Sequence, residues 1–304
     1  TLLVMQRRLT SSLYAIDRTL GHRAEALKKV LETVRANPEL LKAKHRLDSD
    51  IDIESEGEEL DARLQADLDS IAQDPRQLRY FTTANSIEEL EEELDDVNRL
   101  HGMSQALRNS QHEEAKLTKL KELIQGSLLN DTLGGKLVIF TEHRDTLDYL
   151  ENVIGSQGFA VQTIHGSKSV DERREAQRLF RQAENQSILI ATDAAGEGIN
   201  LQFCRLLINW DIPWNPNRLE QRMGRIHRYG QEHDVFVFNL VAHNTREGNV
   251  LERLLQKLDT IREQMGSDKG YDVISDVFED VSMDKILSHF LLGQNDADVA
   301  AVID

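Results

Sequence analysis

The chain has 304 residues, enough for two domains or for one domain with large helical additions. Hydrophobic residues make up 39% and charged residues 29%, a balance that suits a soluble globular protein, and four prolines with 5% aromatics favour long helices. The net charge of −17 sets the chain as a whole against a nucleic-acid backbone, so any such contact must be a local patch; no apolar run approaches a membrane span and no signal peptide is visible, which argues against a membrane partner.

The N-terminal third reads as helix after helix. Leu20, Ala24, Leu27, Leu31 and Val34 recur three and four apart, a narrow apolar stripe that ends at Asn37-Pro38. Residues 48–74 are rich in Asp and Glu and carry a second stripe at Leu60, Leu64, Leu68 and Ile71, with a break at Asp74-Pro75. Ser86 followed by Glu89 forms a capping-box pattern ahead of Ile87, Leu90, Leu94 and Val97. Stripes this narrow predict helices packed on one another as a hairpin or small bundle over residues 1–110. The acidic run reads first as a solvated helix face and second as a mimic of nucleic acid.

From Gln111 the pattern becomes α/β. A helix with Leu117, Leu120 and Ile124 leads through Gly134-Gly135 to a strand, Lys136 to Thr141. Helix 145–157, strand Ala160 to Ile164, helix 170–183 and strand Ile188 to Ala191 follow, and further strands run from Leu206 to Trp210 and from Val235 to Leu240. Apolar runs without alternation are strands buried on both faces, so residues 111–243 are expected to form a parallel sheet sandwiched by helices. Ligands of such sheets bind outside the carboxyl ends of the strands. That rule singles out Thr141-Glu142-His143, His165-Gly166-Ser167, Thr192-Asp193 and the Asp211 region. Cys204, the single cysteine, lies beside a buried strand and reads as a core thiol of a reducing cytosol.

The densest signal closes this region. Thr192-Asp193 opens a Gly-rich turn, where backbone N–H groups can meet phosphate. Pro213 and Pro216 rule out a strand, and Asn217 suits the N-cap of a helix carrying Gln221 and Arg222. Arg222, Arg225 and Arg228 then fall three apart, so Arg225 and Arg228 can point the same way from the helix end. Two converging guanidinium groups suit a triphosphate; taken without the Gly-rich turn, they would read as a solvated basic face. Thr141, Gly166, Ser167 and Thr192 are small positions suited to phosphate contacts that carry no sequence information. For Ser167 a local turn or the N-cap of helix 170–183 is an equal reading, and Asp193 reads equally as an acceptor for a ribose hydroxyl or as a cap of its own turn. Trp210 continues a buried strand, Trp214 sits in a Pro-bounded loop, and His227 reads as a local packing or hydrogen-bonding residue. No Cys or carboxylate spacing turns His143 and His165 into a metal pair. Beyond His243 the chain reads as helix again, with Val250, Leu251, Leu254, Leu255 and Leu258 as a bracing face and an acidic end over residues 295–304.

Residues 188–202 resemble motif V, and residues 221–231 motif VI, of superfamily 2 helicases. The closing Gly-Arg-x-x-Arg-x-Gly-Gln and the Trp-Asn-Pro before it resemble the Swi/Snf-type branch, notably its bacterial RapA/HepA-like members. The resemblance covers roughly residues 109–260 and implies the second RecA-like lobe of an ATP-driven nucleic-acid translocase, nucleoid-associated in the cytoplasm. It implies that Arg225 and Arg228 are arginine fingers and that Gly196, Asp193 and Gln221 join them at ATP. It further implies that Thr141, Gly166, Ser167 and Thr192 line the tracked strand, with a double-stranded DNA backbone as partner. The helical block 1–110 then takes the place of an inter-lobe insertion, and residues 244–304 that of a C-terminal extension. No Gly-x-x-x-x-Gly-Lys-Ser/Thr is present, and the chain starts at Thr1. It is therefore expected to be a fragment whose Mg²⁺ and ATP phosphates are bound mainly by a first RecA-like lobe in cis. An RNA motor and a scaffold that kept the fold without catalysis are the alternatives.

Overall fold

Uninterrupted apolar runs build the sheet, as buried parallel strands require. The computed structural model describes residues 2–44, 82–110, 113–125, 135–184, 186–193, 199–213, 216–228, 230–242, 245 and 248. Expectations for the acidic segment 48–74, for Gly196 and Trp214, and for the C-terminal helices lie outside them.

In chain order the elements are α1 (Leu2–Ser11), α2 (Leu13–Ala36), α3 (Glu39–Lys44), α4 (Ile87–Arg108), α5 (Ala115–Gln125), β1 (Lys136–Thr141), α6 (Arg144–Gly155), β2 (Ala160–Ile164), α7 (Val170–Gln182), β3 (Ser187–Thr192), β4 (Leu206–Asn209), α8 (Pro216–Met223) and β5 (Phe236–Asn239). The five strands form one parallel sheet in the order β2-β3-β1-β4-β5. This is the parallel sheet packed with helices expected from the alternation of strands and helices. The inner strands β3, β1 and β4 are buried almost throughout, while β2 and β5, at the edges, are partly exposed.

Alternate residues of the inner strands feed two apolar layers. On one face Leu137, Ile139, Ile188, Ile190, Leu206, Ile208 and Trp210 pack with Leu117, Leu120 and Ile124 of α5 and Leu147, Leu150 and Ile154 of α6. On the other, Val138, Phe140, Leu189, Ala191 and Leu207 pack with Ala176 and Phe180 of α7, and with Ile199, Leu201, Cys204 and Ile226. Gly135 enters β1 with φ +63°, a conformation that suits glycine, and its carbonyl accepts from Ser187 N at 2.9 Å, pairing the first turns of β1 and β3. Burial pushes the Cys204 thiol up to about 12, and its Sγ lies 3.3 Å from the carbonyls of Lys136 and Leu206.

Two local expectations change. Helix α8 begins at Pro216, a first-turn position that costs proline nothing, so Asn217 lies inside the helix rather than capping it. The N-cap of α7 is Ser169, which forms a capping box with Glu172, so Ser167 is not that cap.

The described residues fall into two compact units, Ser12–His112 and the remainder, with α1 belonging to the α/β unit. Within the helical unit α2 and α4 run antiparallel and bury Leu20, Leu27, Val30, Val34, Leu90 and Val97. Asp17 of α2 is buried and takes bonds from Ser104 Oγ (2.8 Å) and from Arg108 of α4, and Arg23 pairs with Glu93. Ser86 caps α4 through Glu89 N, while the Glu89 carboxylate turns back to Asn85 N at 2.7 Å. Among the described residues, no helix is long and apolar enough to cross a membrane.

Candidate functional site

Ladder hydrogen bonding runs out at the carboxyl ends of β1, β3 and β4, and polar residues take over there. Thr141 and Thr192 end neighbouring strands in register, and Asn209 and Asp211 stand at and beyond the end of β4. Asp211 is the hub of a buried network. Its Oδ2 accepts from Thr141 Oγ1 (2.5 Å), Ser11 Oγ (2.9 Å) and Glu142 N (3.3 Å), and its Oδ1 faces Lys116 Nζ at 3.4 Å. Burial works against the charge, but Lys116 and these bonds hold the Asp211 carboxyl below the usual carboxylate range.

Helix α1 is fastened to the same edge. Trp210 Nε1 donates to the Ser11 carbonyl (2.8 Å), Arg7 Nη2 to Glu142 Oε1 (2.6 Å) and Arg8 Nη1 to Asp145 Oδ2 (3.1 Å). Burial pushes the Glu142 carboxyl up to about 7; Arg7 opposes the shift and Asp193 adds to it. Burial, reinforced by Arg8, pushes the His143 imidazole down to about 3, and neither ring nitrogen has a hydrogen-bond partner among the described residues. No three His, Cys, Asp or Glu side chains cluster as metal ligands among the described residues.

Arg222 joins this edge to the arginine segment. It is 2% exposed. Its Nε and Nη2 fork onto Asp193 Oδ1 and Oδ2 (2.5 and 2.7 Å), while Nη1 donates to Asn209 Oδ1 (3.0 Å) and to the Asp211 carbonyl (2.6 Å). Burial works against the guanidinium charge, but Asp193 holds its pKa above the usual arginine range. Both carboxylate oxygens of Asp193 are therefore engaged by Arg222.

The other candidates divide by exposure. Gln221 is exposed on α8. Arg225 and Arg228 follow the helix in a tight turn; Arg225 is half-buried, and Arg228 is exposed with its Nε donating to the Gly224 carbonyl at 2.8 Å. The turn is fixed by Leu201 N donating to the Arg225 carbonyl (3.0 Å) and by Gln231 Nε2 donating to the carbonyls of Gln202 (2.8 Å) and Ile226 (3.0 Å). His227 is exposed rather than packed.

Gly166 and Ser167 lie on an open turn. Ser167 Oγ is hydrogen-bonded to His165 Nδ1 at 2.9 Å and accepts from Arg144 Nη1 at 3.3 Å, and Arg173 Nη2 donates to the Gly166 carbonyl at 2.7 Å. Burial and the cations Arg144, Lys168 and Arg173 together push His165 down to about 4. Thr141 and Thr192 close β1 and β3 side by side. They are 0% and 1% exposed, and the Thr141 hydroxyl donates to Asp211 Oδ2 at 2.5 Å.

The sequence profile of the helicase conserved C-terminal domain matches residues 115–230, which takes in β1 to β4, the Arg222 cluster and both finger candidates. The similarity to that domain is confined to residues 115–230. Among curated relatives, the uncharacterized ATP-dependent helicase YqhH of Bacillus subtilis is 40% identical over 151 residues, covering 50% of this chain and 27% of the relative. Helicase SWR1 of Saccharomyces cerevisiae is 31% identical over 180 residues, 58% of this chain and 11% of the relative. An uncharacterized ATP-dependent helicase of Mycoplasma pneumoniae is 29% identical over 185 residues, 60% and 17% respectively. The chain thus spans 27% or less of the length of these relatives.

At this edge of the sheet the residue that sequence reasoning missed is Arg222. Its one sequence signal is its place three residues before Arg225, in step with Arg225 and Arg228. Nothing local marks Arg7 or Ser11, whose partners at the lobe's edge lie 135 to 200 residues away.

Proposed function

We propose that this lobe is the second motor half of an ATP-dependent, Swi/Snf-like DNA translocase. It supplies Arg225 and Arg228 to the phosphates of ATP bound mainly, with Mg²⁺, by another lobe of the same protein. The observation that carries this is the finger turn, which presents one exposed and one half-buried arginine three residues apart on a base fixed to the strand ends. Placed cations of this kind stabilise charge that develops on a transferring phosphoryl group. Gln221, exposed on α8, and Gly196 complete the nucleotide side. On the nucleic-acid side, the Gly166-Ser167 turn and its flanking cations are open to a phosphate backbone. The Swi/Snf-type and RapA/HepA-like placement rests on Trp214-Asn215-Pro216 and on the motif from Gly224 to Gln231. In this reading residues 1–110 are an inter-lobe insertion, 111–243 the motor lobe and 244–304 a helical brace, in a cytoplasmic, nucleoid-associated enzyme.

The test is steady-state ATPase kinetics with saturating DNA on Arg225→Lys and Arg228→Lys, in the protein that joins this chain to a phosphate-cradling lobe. Lysine keeps the charge and loses the planar fork. Turnover is expected to fall by roughly 10³ or more, with a far smaller change in KM for ATP. The 304-residue chain alone is expected to show no DNA-stimulated ATPase. Near-parental turnover in both variants would sink the motor-lobe mechanism.

A further inference from the structure

Helix α4 changes character halfway along. Glu88 to Asp96 carries seven carboxylates, whereas Val97 to Arg108 has no Asp or Glu, and Arg99 and Arg108 are its basic residues besides His101. One flank of this second half is buried at Val97 and at Ser104, whose Oγ reaches Asp17 of α2. The neighbouring flank is apolar and open. Leu100, Met103 and Leu107, three and four residues apart and so on one stripe, are 40%, 54% and 53% exposed. Among the described residues of the helical unit, no other large apolar side chain is exposed. The same row of α4 is already in use nearer the start of the helix. Glu93, Leu100 and Leu107 follow at intervals of seven residues, so they stand in line along one face, about 10 Å from one to the next. Thr82, which is buried, donates from Oγ1 to Glu93 Oε2 at 2.5 Å and accepts at Oγ1 from Ala84 N at 2.9 Å. The chain entering α4 is thus held against the row that continues into the open stripe.

We propose that the stripe of Leu100, Met103 and Leu107 is the docking surface for residues 60–71 of the same chain, which lie outside the described residues. The occupant is chosen by pattern, reach and charge. Leu60, Leu64, Leu68 and Ile71 recur at helical spacing and present an apolar face as narrow as the stripe itself. Ile71 stands eleven residues before Thr82, a span of up to about 36 Å, and the row from Glu93 to Leu107 is about 21 Å long. Asp61, Asp67 and Asp69 outnumber Arg63 in residues 60–71, so the acidic first half of α4 repels the segment and the acid-free second half accepts it. Docked there, the segment spends its apolar stripe on α4 and turns its carboxylates to water, which is the solvated-face reading of the acidic run rather than the nucleic-acid mimic. The proposal is independent of the motor reading.

The experiment places cysteines in the 304-residue chain and joins them with a short bismaleimide; Cys204 is buried and stays silent. Leu64→Cys with Met103→Cys should link within one chain about tenfold faster than Ala66→Cys with Met103→Cys, because residues 64 and 66 fall on opposite faces of a helix. The rate should not depend on protein concentration. A second measurement avoids any change to the segment itself. Hydrogen exchange compares the parent with the double variant Leu100→Asp, Leu107→Asp, whose two positions are exposed and leave the α2–α4 pair intact. Amides 60–71 should lose about tenfold of their protection in the variant while those of α2 keep theirs. Equal linking of both cysteine pairs overturns the proposal, as does protection of 60–71 that two aspartates on the stripe leave unchanged. Linking that yields dimers, at a rate rising with concentration, overturns it in favour of a second copy on the stripe.

Discussion

Replacing His143 with leucine should change the acid sensitivity of the α/β unit by an amount the structure sets. The imidazole sits at the N-cap of α6 without making a cap bond, both ring nitrogens are buried without partners among the described residues, and its pKa is pushed down to about 3. Charges around it come from Arg8, Asp211, Arg7 and Lys116, with burial the largest cause. The folded value lies below the unfolded value of about 6.5, so the neutral ring's contribution is fully present above that pH and is lost as pH falls towards about 3. At pH 5 the unfolded chain has gained a proton that the folded chain refuses. At about 1.4 kcal/mol per pH unit, that lowers stability by about 2 kcal/mol relative to pH 7.5. Leucine cannot titrate, and its common offset from lost or gained packing cancels when the two pH values are compared. The assay is urea unfolding of the chain and of His143→Leu at pH 7.5 and pH 5, followed by the fluorescence of Trp210 and Trp214. The variant should gain about 2 kcal/mol on the parent between the two conditions. An equal gap at both pH values would show that the imidazole carries its proton in the folded state, and the reasoning from burial would fail.

Other consequences are simpler to check. Asp211→Asn should cost about 3 kcal/mol near neutral pH, because Lys116 loses its buried counter-charge. Since the Asp211 carboxyl is held below its ordinary value, that gap should close as pH falls below about 4 in parallel urea titrations. Binding of duplex DNA should be independent of sequence and weaken steeply with salt, and Arg144→Ala beside Ser167 should lower the slope of log K against log salt by about 1; binding indifferent to ionic strength would contradict this placement. Cys204, buried and with its thiol pushed up to about 12, should resist iodoacetamide at pH 8 in the folded chain and react quickly in urea.

Much of the sheet was legible in the chain itself. Lys136 to Thr141 and Ala160 to Ile164 are strands over the expected residues; Leu137 to Phe140 is apolar at every step because it is buried on both faces, whereas Ala160 to Ile164, at the sheet edge, is only partly so. The spacing of Leu117, Leu120 and Ile124 likewise placed the buried face of α5, and Trp210 is core as its strand context implied. The rule that ligands meet the carboxyl ends of strands drew attention to Thr141, Thr192 and Asp211 before any of their partners was known. Tertiary structure alone decided what those residues do. The strand order β2-β3-β1-β4-β5 places Thr141 beside Thr192 and, 70 residues from its partner in sequence, sets its hydroxyl on Asp211 rather than towards solvent. Arg222 shares the spacing of Arg225 and Arg228 but has no role readable from it, and the packing of α8 turns it into the buried fork on Asp193 while Arg228 stays exposed. Helix α1 reads as the first of several helices, and only the folded chain brings Ser11 to Asp211 across 200 residues. Periodicity reports which face of an element avoids water, because that preference acts on each residue locally; hydrogen-bond partners are chosen by proximity in space, which the spacing of residues along the chain does not encode.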